Sequence, residues 1–367
     1  GSFDTTRASL LQGSKAGPVH TTLSLTYKET DGAHPVIRAD AQTGVDTLMA
    51  PFAIPPASLA PGAVNLGSHS FDARLDMAWN NFVWRTAYNE LRDQETGQGL
   101  SDALDPQGRW ANHLFTTDLT WNNSPADDWE LEGQASYLYA SVFATHLNAL
   151  FPAGADFGTG SFPDGVLALP QYREENARGS LTATYAGWAH HRLRFGTSFY
   201  WGDVFQTKEL TNLDLSSGTP TPLPGLTDVS DTPAVFQREA QRTYYQAFAQ
   251  DEWGVAEGWE LTTGLRYDHY SDIGSATNPR LALVWSTTPW LTSKLLYGEA
   301  FRPPAMSELY ATNNPAFLGN PDLSPERLRS TELAFNLAPA PAWALDINLY
   351  QFRIRDFIDF VQDPGGS

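Results

Sequence analysis

Apolar and polar side chains alternate along most of this chain with a period of two. In residues 259–269, for example, Trp259, Leu261 and Leu265 occupy odd positions, while polar or charged side chains fill most of the even positions. A similar alternation runs through residues 71–79, 129–139, 191–201 and 330–337. One apolar and one polar side with this period is typical of β-strands and fits helices poorly.

This pattern predicts an all-β protein with about 14 strands of roughly ten residues each. One strand has an uncertain register, because Tyr244, Tyr245 and Phe248 would occupy both of its faces. The predicted strands lie near residues 3–11, 20–28, 69–79, 81–90, 112–121, 129–140, 176–186, 191–205, 240–253, 259–270, 279–286, 290–301, 328–337 and 342–361.

The connections between these strands alternate in length. In an antiparallel meander, successive connections lie at opposite ends, so all short turns are expected at one end and all long loops at the other. Outer-membrane barrels have this asymmetry, and a soluble secreted all-β domain is the alternative. The short connections are predicted at residues 11–19, 80–81, 122–128, 187–190, 255–258, 287–289 and 338–341. The long ones are predicted at residues 29–68, 91–111, 141–175, 206–239, 271–278 and 302–326.

In a barrel, the two sides of each strand would meet different surroundings. Ten apolar positions are expected to face lipid: Leu75, Met77, Leu119, Leu131, Leu193, Phe195, Leu281, Leu283, Leu333 and Phe335. Seven charged positions are expected to face the lumen: Arg74, Asp118, Glu132, Arg194, Arg266, Arg280 and Glu332. Tryptophans cluster at the predicted strand ends, as they do in the aromatic girdles at both lipid interfaces.

Composition narrows the classes of function. The 367 residues carry a net charge of −19, which argues against a nucleic-acid partner, and 13% aromatic residues argue against disorder. Cysteine is absent, and no run of about 20 apolar residues could form a spanning helix. The sequence contains no nucleophile elbow, zinc-protease helix motif or phosphate loop, so neither an enzyme nor a bound cofactor or metal is expected.

Three boxes follow one another in the last quarter of the chain. Phe301-Arg302-Pro303-Pro304 precedes Glu308-Leu309-Tyr310, and Gly319-Asn320-Pro321-Asp322-Leu323-Ser324-Pro325-Glu326 comes next. In order and spacing they resemble the boxes of the TonB-dependent outer-membrane receptors, which carry an FRAP-type box, an ELY and a GNPxLxPE box. These boxes also have a structural interpretation, because Pro ends strands and stiffens loops.

The resemblance implies an antiparallel meander that forms part of a 22-stranded transmembrane β-barrel. Residues 1–367 would then be a partial receptor β-barrel domain, a fragment without the plug domain or the final strands, in the outer membrane of a Gram-negative bacterium. Its implied partners are a metal chelate, the plug domain of the full-length chain, the TonB complex and outer-membrane lipid.

The function implied by the resemblance is active, TonB-dependent uptake of a scarce metal chelate. A ferric siderophore is the first expectation, and cobalamin or haem is the alternative. Residues 301–323 contain no His, which disfavours haem. A passive porin-like barrel and a soluble β-rich binding protein stay open as further alternatives.

Five residues are predicted to contact the chelate. They are Arg302, Tyr310 and Phe317 in one long loop, and Tyr172 and Arg173 in another. Aromatic and cationic side chains suit catecholate or other iron-chelate ligands. For each residue the alternative is a role in shaping its loop.

Overall fold

Antiparallel strands make up most of the computed structural model, which describes residues 2–215, 219–314 and 317–361. The strands are β1 (Thr6–Ala16), β2 (Val19–Thr30), β3 (Val36–Ile37), β4 (Gly62–Ala63), β5 (Ser68–Trp79), β6 (Phe82–Glu95), β7 (Arg109–Ala126), β8 (Trp129–Ala144), β9 (Asn148–Phe151), β10 (Ala155–Asp156), β11 (Ser161–Phe162), β12 (Val166–Tyr185), β13 (His191–Asp214), β14 (Thr221–Asp228), β15 (Ala240–Ala256), β16 (Trp259–Tyr270), β17 (Gly274–Thr288), β18 (Leu291–Arg302), β19 (Glu326–Ala340) and β20 (Trp343–Arg355).

Helices are few and short. The described residues form two α-helices, α1 (Ala41–Met49) and α2 (Met306–Tyr310), and 3₁₀ turns occupy Ser2–Asp4 and Ala50–Phe52. Among the described residues, no helix is long and apolar enough to cross a membrane.

Fourteen long strands form one meander in which each strand pairs with the next along the chain. Their order is β1-β2-β5-β6-β7-β8-β12-β13-β15-β16-β17-β18-β19-β20. The short strands β9 and β14 extend this sheet, while β3 with β4 and β10 with β11 form two separate two-stranded sheets. The predicted all-β meander of about 14 strands is therefore confirmed.

Several strands are longer than their apolar pattern indicated. The first strand continues to Ala16 and leaves a two-residue turn, where residues 11–19 were expected to form the connection. Strand β12 begins at Val166, well before the predicted residue 176. Both extensions are polar or mixed in sequence, so backbone pairing with a neighbouring strand prolongs them, and side-chain periodicity does not reveal it.

The prediction of a long connection at residues 271–278 is wrong. Strand β16 ends at Tyr270 and β17 begins at Gly274, which leaves a tight turn. Asn278 and Pro279 lie inside β17 and pair with β16. Proline is tolerated there because the pairing of β17 with β18 starts only at Arg280, so no ladder hydrogen bond from residue 279 to β18 is lost.

Apart from the tight turn at residues 271–273, which lies with the long loops, short turns and long loops lie at opposite ends of the sheet, which we name the turn end and the loop end. Asn80 and Asn81 join β5 to β6 beyond the pair Trp79 and Phe82, whereas residues 31–67 leave the sheet beyond the opposite pair, Thr30 and Ser68. An aromatic band lies near each end. Contacts of the turn-end band include Trp79–Phe82, Trp129–Tyr185 and Trp259–Trp285, at ring-centroid distances of 5.6, 4.8 and 5.5 Å. Contacts of the loop-end band include Phe71–Tyr88, Phe115–Tyr137 and Phe199–Tyr245, at 6.5, 6.4 and 5.2 Å.

The pairing register separates the predicted positions into two faces. The apolar face carries Leu75, Met77, Leu119, Leu131, Leu193, Phe195, Leu281, Leu283, Leu333 and Phe335. The polar face carries Arg74, Asp118, Glu132, Arg194, Arg266, Arg280 and Glu332. Side chains on the polar face pair with one another: Arg85 lies 3.7 Å from Asp118, which also accepts a 2.6 Å hydrogen bond from Gln134.

The buried core lies among the loops. We name the described residues of 31–67, 96–108, 145–165, 215–239 and 303–325 the loop layer. Its apolar cluster joins Leu150 and Phe162 to Val166 and Leu213 on the adjoining strand ends. Asp40 caps helix α1 and accepts hydrogen bonds from Thr43 N at 2.9 Å, Ser58 Oγ at 2.7 Å and Leu104 N at 3.0 Å. Although burial opposes the charged form, these donors hold the pKa of Asp40 below its ordinary value.

Candidate ligand-binding site

The three sequence boxes converge on one group of ion pairs at the loop end of β18 and β19. The guanidinium of Arg302 lies 3.0 Å from Glu308 and 2.8 Å from Glu326. Each of the three residues comes from a different box. The hydrogen bonds from Arg302, followed by one from the backbone N–H of Ile358, hold the pKa of Glu326 below its ordinary value. Arg302 thus ties the start of loop 303–325 to its end.

A glycine of the third box allows a close backbone approach inside this loop. A Cβ at Gly319 would lie 2.8 Å from both Ala311 N and Leu309 C, so a larger residue would push the two segments apart. The loop also hydrogen-bonds along the chain that precedes β15. Arg238 N donates to Tyr310 O at 3.0 Å, and Thr312 N donates to Phe236 O at 3.1 Å.

Three tyrosines form a row across the polar face near the loop end. Tyr200, Tyr244 and Tyr270 lie directly opposite one another on β13, β15 and β16. Their rings stack, with centroids 5.1 Å and 4.9 Å apart and interplanar angles of 19° and 29°. We name these three residues the tyrosine row. Offset aromatic pairs of this kind contribute about 0.5–1.5 kcal/mol each beyond the area that they bury.

An arginine lies over the ring at each end of the tyrosine row. Arg178 pairs with Tyr200 in the sheet, and its guanidinium carbon lies 5.1 Å from the ring centroid. At the other end Arg242 lies 6.0 Å from the centroid of Tyr270. The two arginines differ in their partners. Arg242 is buried, pairs with Asp272 at 2.7 Å and donates to Pro304 O at 2.8 Å. Arg178 makes no ion pair with any carboxylate of the described residues.

The row and its cations line a cavity of about 370 Å³ at the loop end. Tyr172 and Glu174 complete one side of it, and the hydroxyl of Tyr172 donates to the Glu174 carboxylate at 2.6 Å. Pro303, Met306 and Ser307 of loop 303–325 close the other side. The wall of this cavity therefore combines aromatic rings, hydroxyl groups and a cation that has no carboxylate partner in the part of the chain that the structure describes.

Beyond the loop-end band, a buried carboxylate supports the chain that leads into β15. Glu209 accepts a 2.8 Å hydrogen bond from Phe236 N. Burial raises the pKa of Glu209 to about 7, and the hydrogen bond from Phe236 opposes that rise.

The five predicted contact residues lie in different places. Tyr172 lines the cavity, whereas Arg173 follows it in β12 and projects from the opposite face. Arg302 is engaged by two carboxylates, and Phe317 packs against Phe360 at 5.4 Å. Tyr310 contributes its carbonyl to the hydrogen bond from Arg238.

The tyrosine row and its two arginines were not recognised in the sequence. A signal was present, because Tyr200, Tyr244 and Tyr270 all occupy even positions, most of which are polar in their strands. An aromatic residue at a polar position of a strand is out of pattern. The doubtful register of residues 240–253 had the same origin, since Tyr244 and Tyr245 lie on opposite faces.

A family description, TonB dependent receptor-like, beta-barrel, matches residues 57–367. The chain therefore belongs to the TonB-dependent receptors and supplies strands of their β-barrel domain.

Similarity to individual proteins is partial. The chain is 29% identical to the iron-regulated outer membrane virulence protein of Vibrio cholerae serotype O1 over 155 residues, which are 41% of this chain and 24% of that protein. It is 34% identical to the vitamin B12 transporter BtuB of the same organism over 126 residues, which are 34% of this chain and 19% of that protein.

The fold is similar to that of the ferric enterobactin receptor PfeA of Pseudomonas aeruginosa, solved as a double mutant. The TM-score is 0.58 at 15% identity, and the match covers 95% of this chain and 50% of that chain. The chain thus spans about half the length of this receptor and smaller shares of its sequence relatives.

Proposed function

We propose that this chain is part of an outer-membrane receptor that takes up a scarce metal chelate with energy from the TonB complex. The observation that carries the proposal is the tyrosine row with Arg178 over its first ring. Flat, electron-rich rings and a guanidinium that no described carboxylate pairs with suit a ligand that is both aromatic and anionic. Membership of the receptor family supports the transport role.

Within that class we propose a ferric siderophore of the catecholate type as the substrate. Its aromatic rings would stack on the tyrosine row, and its negative charge would be balanced by Arg178. Cobalamin is the second candidate, because one sequence relative is a vitamin B12 transporter. Haem is a weaker candidate, since residues 301–323 carry no His.

We further propose that the polar face lines the lumen of a complete barrel and that the apolar face meets lipid. In the described sheet, β1 and β20 each pair on one side only. An open sheet edge in hydrocarbon would leave backbone groups without hydrogen bonds, so further strands of the full-length receptor are expected to close the barrel. A plug domain and the contact with TonB would also belong to that full-length chain.

Two neighbouring tyrosines offer a matched test. Tyr244 belongs to the row, whereas Tyr245 projects from the apolar face and is 56% exposed. In the full-length receptor, Tyr244→Leu should weaken binding of a ferric catecholate siderophore about tenfold, because it removes both stacking contacts of the central ring. Tyr245→Leu, the same change one residue later, should leave the affinity unchanged. Calorimetry or intrinsic fluorescence in detergent would measure both.

Cyanocobalamin, tested in the same way, separates the two substrate candidates. A loss of cobalamin binding on Tyr244→Leu, without any siderophore binding by the unaltered receptor, would replace the first candidate by the second. Equal affinities of the Tyr244 and Tyr245 variants for every chelate, with both proteins folded, would remove the tyrosine row from the binding site.

A further inference from the structure

Four arginines form a block on the apolar face at the loop end of β19 and β20. Arg327 lies directly opposite Arg355, and Arg329 lies directly opposite Arg353. Like charges directly opposite each other on adjacent strands destabilise a sheet. Among the described residues, the block makes a single ion pair, from Arg329 to Glu299 at 2.8 Å. The arginine block therefore carries positive charge that the described chain leaves largely unbalanced.

The arginine block lies farther toward the loop end than Tyr297, an aromatic residue on the apolar face of β18. On β18 the side chain of Tyr297 shares the apolar face with Leu295, and Tyr297 pairs with Thr331. Arg329 lies one step beyond that pair, on the same face and farther from the turn end, and Arg327 lies one step farther still. Aromatic bands mark the level at which hydrocarbon gives way to headgroups. With the apolar face toward lipid, as proposed above, the block lies at headgroup level.

Other parts of the same rim carry a different charge. On β2, β6 and β12 the residues just beyond the band on the apolar face include Glu29, Glu90 and Glu175. These carboxylates have partners: Glu29 pairs with a histidine, Glu90 pairs with Arg92, and Glu175 accepts from the Tyr137 hydroxyl at 2.6 Å. Four arginines in two adjacent cross-strand pairs thus set the rim at β19 and β20 apart from these paired carboxylates, in a chain whose net charge is −19.

We propose that the arginine block binds the phosphate groups of an anionic lipid headgroup in the membrane leaflet at the loop end. Guanidinium groups bind phosphate in a bidentate manner, and the four of them line a cavity of about 330 Å³. A phosphate between the strands would offset the repulsion within the two arginine pairs. The ligand is a lipid rather than free phosphate because, beyond the single polar pair Thr331 and Gln351, the same face carries the apolar pair Leu333 and Leu349, against which acyl chains would pack.

A double substitution at the two arginines of β20 tests this proposal. Neither Arg353 nor Arg355 shares the ion pair with Glu299, so R353Q/R355Q removes charge and leaves that pair intact. A matched control is R7Q/K28Q. Arg7 and Lys28 also lie opposite each other near the loop end, but they are on the polar face. Both variants lose two positive charges at the same end of the sheet. R7Q/K28Q removes both charges of one cross-strand pair, and R353Q/R355Q removes one charge from each of two adjacent pairs.

The full-length receptor in detergent would be titrated with bisphosphorylated lipid A, with phosphatidylethanolamine and with inorganic phosphate, and bound adducts counted by native mass spectrometry. We expect lipid A to bind the unaltered receptor and the R7Q/K28Q variant equally. The R353Q/R355Q variant should bind it at least about tenfold more weakly, since each surface cation contributes substantially to binding an anionic membrane. The loss should shrink at high salt.

Each of three results with lipids would overturn the proposal: equal lipid A binding by the unaltered receptor and R353Q/R355Q, an equal loss in the control, or binding of phosphatidylethanolamine as tight as that of lipid A. Binding of inorganic phosphate as tight as that of lipid A would also overturn it, because the apolar contacts would then contribute nothing. Chelate affinity should not change in R353Q/R355Q. A failure of the lipid test and a failure of the tyrosine test can therefore be told apart.

Discussion

The loop layer and the strand wall, by which we mean the fourteen meander strands between the two aromatic bands, are stabilised in different ways. In the loop layer, Phe162 is 1% exposed within a cluster of apolar side chains. In the wall, Leu265 is 53% exposed, and the sheet is held by continuous strand pairing. One region has a small core of its own, whereas the other exposes its apolar side chains on the face proposed to meet lipid.

This difference teaches that the loop end is a folded layer in its own right. A set of flexible connections would not bury Met49, Leu104, Leu150 and Leu309 below a tenth of their surface. The cavity beside the tyrosine row is closed by this layer, through Pro303 and its neighbours. The geometry of the candidate site therefore depends on both regions.

The largest effect is expected from a cavity in the loop layer. Phe162→Ala should destabilise that layer by about 3–5 kcal/mol, because a fully buried phenyl ring is lost. Amide hydrogen exchange should quicken in residues 145–165 and stay slow in the strand wall. Phe52→Ala is the control, since Phe52 is 73% exposed in the same layer and its loss should cost little. Uniformly faster exchange in both regions would mean that they unfold as one unit.

The next effect concerns the wall. If the apolar face meets lipid, Leu333→Arg in the full-length receptor folded into vesicles should cost about 2–4 kcal/mol in chemical unfolding. Glu332→Arg, one residue earlier on the polar face, should cost much less. Equal costs for the two variants would contradict the assignment of the faces.

The smallest effect is a dependence of the loop layer on pH. The pKa of Glu209 is raised to about 7 in the folded chain, so the native state holds this proton more tightly than the unfolded state does. The stability contributed by the protonated group is complete below the unfolded pKa and is lost as pH rises through about 7. Hydrogen exchange at residues 229–236 should quicken over that window, and Glu209→Gln should abolish the change. A window that persists in the Gln variant would assign it to another group.

The sequence predicts the strand wall better than it predicts the loop layer. The wall was predictable because the alternation within a strand is local, and it separates neighbours such as Glu332 and Leu333 correctly. The loop layer was not, because its contacts join distant parts of the chain: Asp40 binds Ser58 and Leu104, and Leu150 packs near Leu213. No local pattern marks such partners.

The candidate site was predictable in part. Tyr172, a predicted contact residue, lines the cavity, but the alternation within single strands does not distinguish Tyr200, Tyr244 and Tyr270 from other strand residues. Their stacking depends on the register between β13, β15 and β16, which a single strand does not reveal. The three boxes were recognised, and the ion pairs of Arg302 give a physical reason for their order: each box supplies one charge. Whether any of the five named residues touches a chelate is still a prediction.

The adjacency of Tyr244 and Tyr245 also constrains how genes for such chains can change in length. Inserting or deleting one codon within a meander strand moves the later side chains of that strand to the opposite face of the sheet. A change of two codons leaves every side chain on its original face. A β-bulge in this chain absorbs one such extra residue. At Arg173 and Glu174 the pairing with β13 shifts, Phe205 is left as the extra residue, and Thr207, Glu209 and Thr211 become the buried positions. Length variation in this family should therefore accumulate in loops, in pairs of residues, or at bulges.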